Sequence, residues 1–97
     1  MKAFITDYNK YCIFCGHQTH DTHHLEFGWA NRKLADEDNL VIPVCRTCHD
    51  FIHNSEEGTL FSKMLGQALY ELNYCAQKPE ILEARQSFRS RYGKSYF

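Results

Sequence analysis

Cys12-Ile13-Phe14-Cys15-Gly16 and Cys45-Arg46-Thr47-Cys48-His49, with His23-His24 and Asn39-Leu40 between them, are the stretches on which the reading of this chain turns. Two C-x-x-C pairs separated by a domain-sized loop have the spacing of a structural zinc site. Four thiolates fill the coordination shell of zinc, so such an ion staples the fold and takes no part in chemistry. The histidines are left over by that assignment and read as a second, working site.

Working outward, the 97 residues leave room for one domain with a small core, expected to span 1–97, with a knuckle-and-finger core at 11–54 and a helical extension at 55–97. A chain of this size buries a modest share of its surface and needs a staple. A four-cysteine zinc site would supply one, with an apparent binding energy of about 10–16 kcal/mol that is also folding energy. The count of five cysteines is odd, and each pair is too close in sequence to bridge comfortably, which speaks against a disulfide framework. The expectation is a reduced, cytoplasmic protein. No apolar run is long enough for a bilayer and no leader pattern opens the chain, so no membrane partner is expected.

The formal net charge of −1 speaks against a nucleic-acid partner only until metals are counted, because bound thiolates and divalent ions redistribute it. Asp36, Glu37 and Asp38 cluster in one segment. From Arg85 onward the charged residues are Arg85, Arg89, Arg91 and Lys94, all basic. A basic tail is compatible with phosphate contacts, although solvated helix residues alone give the same pattern.

Met1 to Tyr11, with Phe4, Ile5, Tyr8 and Tyr11, reads as an irregular lead-in packing on the core. Gly16 permits the tight backbone of a zinc knuckle. Thr22 to Phe27 and Asn39 to Ile42 read as an antiparallel hairpin, joined by a long loop from Gly28 to Asp38 and ended by Pro43. Thr47 to His53 suits a helix whose start faces the thiolates. Phe61, Met64, Leu65, Ala68, Leu72 and Cys75 recur at three- and four-residue spacing, which predicts an amphipathic helix over 59–76 with Cys75 a buried thiol. Pro79 and Gly93 bracket a last helix over 80–92, with Ile81, Ala84, Phe88 and Tyr92 facing the core.

Neighbouring strand residues point to opposite faces, so His23 and His24 can serve one site only at a bulge or a strand end. His49 and His53, at i and i+4, share a helix face. Imidazoles from the helix and the hairpin could hold a divalent ion with open positions, beside an unligated histidine able to activate water.

The ordered series Cys12-x-x-Cys15, His23-His24-Leu25, Asn39-Leu40, Cys45-x-x-Cys48-His49 resembles the HNH nuclease motif of the ββα-metal fold, in the variant built on a Cys₄ zinc knuckle. The chain also looks like small phage-encoded HNH-type proteins, through Gly28-Trp29-Ala30-Asn31-Arg32 and the ending Phe88-Arg89-Ser90-Arg91-Tyr92-Gly93-Lys94-Ser95-Tyr96. The resemblance implies a small α+β, treble-clef-like ββα-metal finger with a structural Cys₄ zinc and two additional C-terminal helices. It implies His24 as general base, and His23, in place of the commoner aspartate, with His49 as ligands of a catalytic metal. Asn39 would hold the hairpin, and hence His24, through backbone hydrogen bonds. Histidine at position 23 favours manganese, nickel or zinc over magnesium as the catalytic ion.

His53 is open between third ligand, phosphate contact and solvated helix residue. His17 and His20 are expected exposed. Asn31 rivals Asn39 for the asparagine of the motif, Arg32 and Lys33 are candidate backbone clamps, and Trp29 and Tyr96 are expected to pack on the core, with base stacking as their alternative. The function expected is a metal-dependent HNH endonuclease hydrolysing DNA to 5′-phosphate and 3′-hydroxyl ends with low sequence specificity. It would serve phage-related DNA processing, with a packaging or recombination protein as a possible partner and oligomeric state open. The rival is a catalytically silent zinc-knuckle nucleic-acid-binding or adaptor protein.

Overall fold

A computed structural model describes residues 5–97, so Phe4 of the lead-in lies outside the described residues. The elements run β1 (Thr22–His24), α1 (Trp29–Glu37), β2 (Val41–Pro43), α2 (Arg46–Asn54), α3 (Glu56–Gln77) and α4 (Ile81–Tyr92). They form a small α+β fold, with a two-stranded antiparallel sheet pairing Thr22 with Pro43, His23 with Ile42 and His24 with Val41. Each strand is three residues long, shorter than expected, so β1 stops at His24.

The first cysteine pair lies in a tight knuckle. Tyr11 and Gln18 form an isolated bridge, Cys12 N donates to His17 O at 2.7 Å, and Gly16 N donates to Cys12 O at 2.9 Å. Gly16 sits at φ 78°, a conformation that residues with a Cβ adopt at a cost. Ile13 N donates to Pro43 O at 3.0 Å, which ties the knuckle to β2 just ahead of the second pair. The lead-in departs from expectation: Ile5, Tyr8 and Tyr11 are exposed, because the core closes without them.

The segment from Gly28 to Asp38, expected as a loop, is mostly the helix α1. Its composition of Ala, Arg, Lys, Leu and Glu suits a helix, but only Ala35 is buried, so no apolar stripe announces it. Its end is well specified. Leu40 N donates to Ala35 O at 2.8 Å and Asn39 N to Asp36 O at 3.2 Å, with Asn39 at φ 59°. That is a Schellman stop, in which the residue after the cap must turn left-handed, and asparagine tolerates this better than any other residue with a side chain.

Ser55 joins α2 to α3. Its Oγ accepts from Gly58 N and donates to Phe51 O, both at 2.9 Å. A Cβ on Gly58 would lie 2.8 Å from Phe51 O and 2.9 Å from Ile52 Cα, so glycine alone permits this crossing. Gly66, anomalous within a helix, faces Leu25, whose Cβ lies 3.1 Å from where its own would be. The buried face of α3 is therefore Gly58, Ser62, Gly66, Gln67, Leu69 and Glu71, rotated away from the apolar stripe. Phe61 and Leu72 of that stripe are 51% and 64% exposed, and Cys75 is half-buried instead of enclosed. Small residues win the inner face because the strand end approaches closely there, and the polar ones are paired. Gln67 Nε2 donates to Glu71 and Ser95, and its Oε1 accepts from Tyr96 N at 2.7 Å, pinning the tail to α3.

In α4, Ala84, Phe88 and Tyr92 point inward as the spacing predicts, and Gly93 ends the helix at φ 87°. Ile81 does not: as the first helical residue it is 50% exposed. One core cluster contains Cys12, Leu25, Ala35, Leu40, Ile42, Val44, Ile52, Leu69, Phe88 and Tyr92. Phe88 is fully buried, stacks on Tyr92 at 4.6 Å and meets Tyr70 edge-on at 5.4 Å. Phe88→Ala is expected to cost about 3–5 kcal/mol of stability, read from the midpoint of denaturant unfolding of the metal-loaded protein. A loss below about 1 kcal/mol would mean that α4 is not part of the cooperative core. Among the described residues no helix is long and apolar enough to cross a membrane.

Candidate metal centres and active site

Cys12, Cys15, Cys45 and Cys48 converge, with their sulfurs all within 4.8 Å of one another. Cys15 Sγ and Cys45 Sγ are 3.5 Å apart. Four sulfurs bound tetrahedrally at Zn–S distances of 2.3 Å would be separated by roughly 3.8 Å, so the cluster could hold a structural zinc with little adjustment. Burial works against a Cys12 thiolate, but hydrogen bonds from the backbone at Cys45, Cys15 and Phe14 outweigh it and bring the thiol down to about 6. Burial and the neighbouring cysteines push Cys48 up to about 12. Packed thiols resist ionising together, and it is a divalent cation that lets all of them do so. Cys45 is the N-cap of α2 and Cys48 lies in its first turn, so the negative charge of metal-bound thiolates would collect where the helix dipole favours it. Exposed His17, expected to be no ligand, approaches Cys15 Sγ with Nδ1 at 3.1 Å; His20 is exposed.

The second cluster is His23, His49 and His53, whose ring nitrogens also lie within 4.8 Å of one another. Ring centroids are 5.1 Å apart for His23–His49, 5.2 Å for His23–His53 and 4.7 Å for His49–His53. The Nε2 atoms of His49 and His53 are 3.0 Å apart. Two imidazoles bound to one ion at about 2.0–2.1 Å would be separated by roughly 2.9–3.3 Å, so the pair fits a shared divalent ion. The structure thus groups His53 with the two expected ligands. Three imidazoles could hold a divalent ion and would leave it a coordination position open.

His23 is almost wholly buried, and its surroundings select its tautomer. Ser62 donates its hydroxyl to Leu25 O at 2.8 Å, so toward His23 Nε2, 2.7 Å away, it can only accept. The proton is therefore on Nε2 and the lone pair on Nδ1. Burial, reinforced by His49, His53 and His24, lowers the His23 pKa to about 3, which keeps the ring neutral and ready to bind a cation at neutral pH. Burial also lowers that of His49. Ser62 went unseen in the sequence because a serine within a helix carries no signal of its own.

His24 stands apart from the cluster but lines the same cavity of about 440 Å³ as His23, His49 and His53. Because β1 ends at His24, neighbouring residues of one strand can serve one site. The His24 side chain is 12% exposed, and its Nε2 lies 3.0 Å from Asp36 Oδ1 on α1. Asp36 was hidden by the reading of its segment as an acidic loop.

The two asparagines of the sequence argument play different parts, Asn39 through its backbone and Asn31 through its side chain. Asn39 supplies the left-handed stop of α1, after which Leu40 O accepts from Leu25 N at 2.9 Å. Asn31 donates from Nδ2 to Tyr92 O at 3.2 Å and joins α1 to α4. Among the basic residues, Arg32 lines the histidine cavity and Lys33 is exposed. Arg85 is held by Glu71 through two bonds of 3.2 and 3.0 Å, and Arg91 by Asp38 and Glu37 at 2.7 and 3.1 Å, so their charges are spent within the fold. Arg89 and Lys94 are exposed. Tyr96 packs as expected, against Phe88 and with its hydroxyl 3.2 Å from Glu26 Oε1. Trp29 does not pack: it is 100% exposed.

A protein-family model described as DUF968, protein of unknown function, matches residues 3–79. The chain belongs to the DUF968 family. The matched DUF968 segment takes in both cysteine pairs, the three clustered histidines, His24 and Asp36, and stops ahead of α4. No curated protein and no solved structure matches this DUF968 chain.

Proposed function

We propose that this chain is a metal-dependent endonuclease of the HNH type, hydrolysing DNA phosphodiester bonds on a ββα-metal finger made of β1, β2 and α2 and stapled by a Cys₄ zinc. The observation that carries the reading is the His23–His49–His53 cluster with His24 beside it in one cavity. Ligands and candidate base are separate residues, as hydrolysis with an activated water requires.

A divalent ion held by the three imidazoles would neutralise charge on the scissile phosphate and the departing oxygen. The chain's own residues divide the remaining work. Asp36 Oδ1 would accept a hydrogen bond from His24 Nε2–H, the tautomer that leaves the Nδ1 lone pair to take a proton from water. Ser62 holds the His23 ring in the tautomer that presents Nδ1. Arg32, on the cavity wall, supplies positive charge to a phosphate. Ends bearing 5′-phosphate and 3′-hydroxyl, low sequence specificity and a role in phage-related DNA processing follow from the resemblance.

The test is plasmid and oligonucleotide cleavage by zinc-loaded protein, with Mg²⁺, Mn²⁺, Ni²⁺ or Zn²⁺ added in turn. Metal-dependent nicking or linearisation is expected, with Mn²⁺, Ni²⁺ or Zn²⁺ outperforming Mg²⁺ because the ligands are all nitrogen. Absence of cleavage with every metal, on supercoiled, single-stranded and branched DNA alike, would overturn the reading and leave a zinc-knuckle binding protein.

A further inference from the structure

The proposed hydrolytic site has, on its rim, a feature that hydrolysis does not require. Trp29, the single tryptophan of the chain, is 100% exposed yet forms part of the wall of the histidine cavity. It is the first residue of α1, and Arg32 follows one turn later on the same wall. An indole left fully in water contributes nothing to the core, and its large flat face is free. Beyond His53, which the two cavities share, lies a second depression of about 490 Å³ lined by Lys63, Lys94 and one acid, Glu56. Lys63 is 3.7 Å from buried Glu26, whereas Lys94 is exposed. An aromatic platform, an arginine beside it and a lysine-lined continuation past the imidazoles form the pattern that tracks an unpaired strand, with bases stacking and phosphates meeting cations.

From this we infer that Trp29 is a base-stacking subsite for single-stranded DNA, with Arg32 binding the adjoining phosphate and the strand running past His53 toward Lys94. Bases within a duplex already stack on both faces and offer none to the indole. The subsite therefore selects unpaired nucleotides, and this extends the nuclease reading by naming its substrate as single-stranded DNA or an unpaired stretch within a duplex. The inference rests on that reading for the chemistry but not for the binding.

Because the chain has one tryptophan, its intrinsic fluorescence reports the subsite directly. Zinc-loaded protein without added divalent ion would be titrated with a single-stranded oligonucleotide and with a blunt duplex of equal length. Saturable quenching by the single strand, and little by the duplex, is expected. Anisotropy of a labelled oligonucleotide would then compare Trp29→Ala with the parent chain. Removing the stack is expected to weaken single-strand binding by roughly 5- to 150-fold, with duplex binding changed less than about twofold. The side chain makes no core contact, so the variant should fold with unchanged thermal stability. Equal quenching by both DNAs, no quenching, or unchanged single-strand affinity in Trp29→Ala would each overturn the subsite. The two readings can fail separately. Selective quenching without cleavage by any metal keeps the subsite and removes the nuclease. Cleavage that prefers duplex and has the same KM in Trp29→Ala keeps the nuclease and removes the subsite.

Discussion

Replacing His24 with alanine is expected to lower DNA cleavage by about 10²–10⁴-fold, the usual contribution of a positioned general base. The expectation rests on the separation of roles in the cavity. His23, His49 and His53 form the cluster and His24 is outside it, so the variant should keep its affinity for the added divalent ion. Titration calorimetry with Mn²⁺ would read that directly. The fold should also survive, since the hydrogen bond removed joins His24 to an Asp36 side chain that is 69% exposed, and a typical hydrogen bond contributes about 0.5–1.5 kcal/mol. His23→Ala should behave differently and lose the added ion together with activity. Asp36→Asn keeps the size of the partner but takes away its charge, so its loss of kcat should be smaller than that of His24→Ala, with KM unchanged. Cleavage by His24→Ala at the parental rate would remove this residue from the chemistry and return the choice of base to the cluster itself.

Some of this arrangement is legible in the sequence because chemistry constrains spacing tightly. Cys12-x-x-Cys15 and Cys45-x-x-Cys48 can scarcely be placed otherwise than together, and His49 and His53 share a helix face by periodicity alone. The adjacency of His23 and His24 posed a geometric problem whose solution, a strand ending at His24, depends on the Schellman stop at Asn39 and the tight approach of Gly66. Neither is visible as a pattern. The helix α1 escaped notice because it buries only Ala35, and with it went Asp36, the partner of His24. The inner face of α3 was misjudged for the opposite reason. Periodicity marks where apolar residues fall, but close crossings choose Gly58, Ser62 and Gly66, so Phe61 and Leu72 are left exposed while Leu65 packs on the edge of the core. Trp29 followed the same logic: a lone tryptophan usually packs, and only its exposed position on the cavity wall separates a platform from a core residue.

The second large effect concerns the staple. Stripping all metal with a strong chelator, or replacing Cys45 with serine, is expected to abolish cooperative thermal unfolding and collapse the far-ultraviolet helical signal. Restoring Zn²⁺ should recover the chelated protein but not the variant. The magnitudes decide the outcome. A four-cysteine zinc site contributes about 10–16 kcal/mol of binding free energy, whereas the net stability of a domain is about 5–15 kcal/mol. Cys12 belongs to the hydrophobic core and Cys45 caps α2, the helix that carries His49 and His53. Loss of the thiolate cluster should therefore scatter the imidazoles as well, whereas loss of an imidazole should leave the thiolates in place. Thiol titration separates the two. Metal-loaded protein should present one reactive cysteine of its five, half-buried Cys75, and this should hold in His23→Ala too. The chelated protein should present all five, because the knuckle held by Cys12 and Cys15 no longer closes. A chain that kept its unfolding midpoint within a few degrees after complete metal removal would show that the core around Phe88 suffices, and the cysteine cluster would then need another purpose.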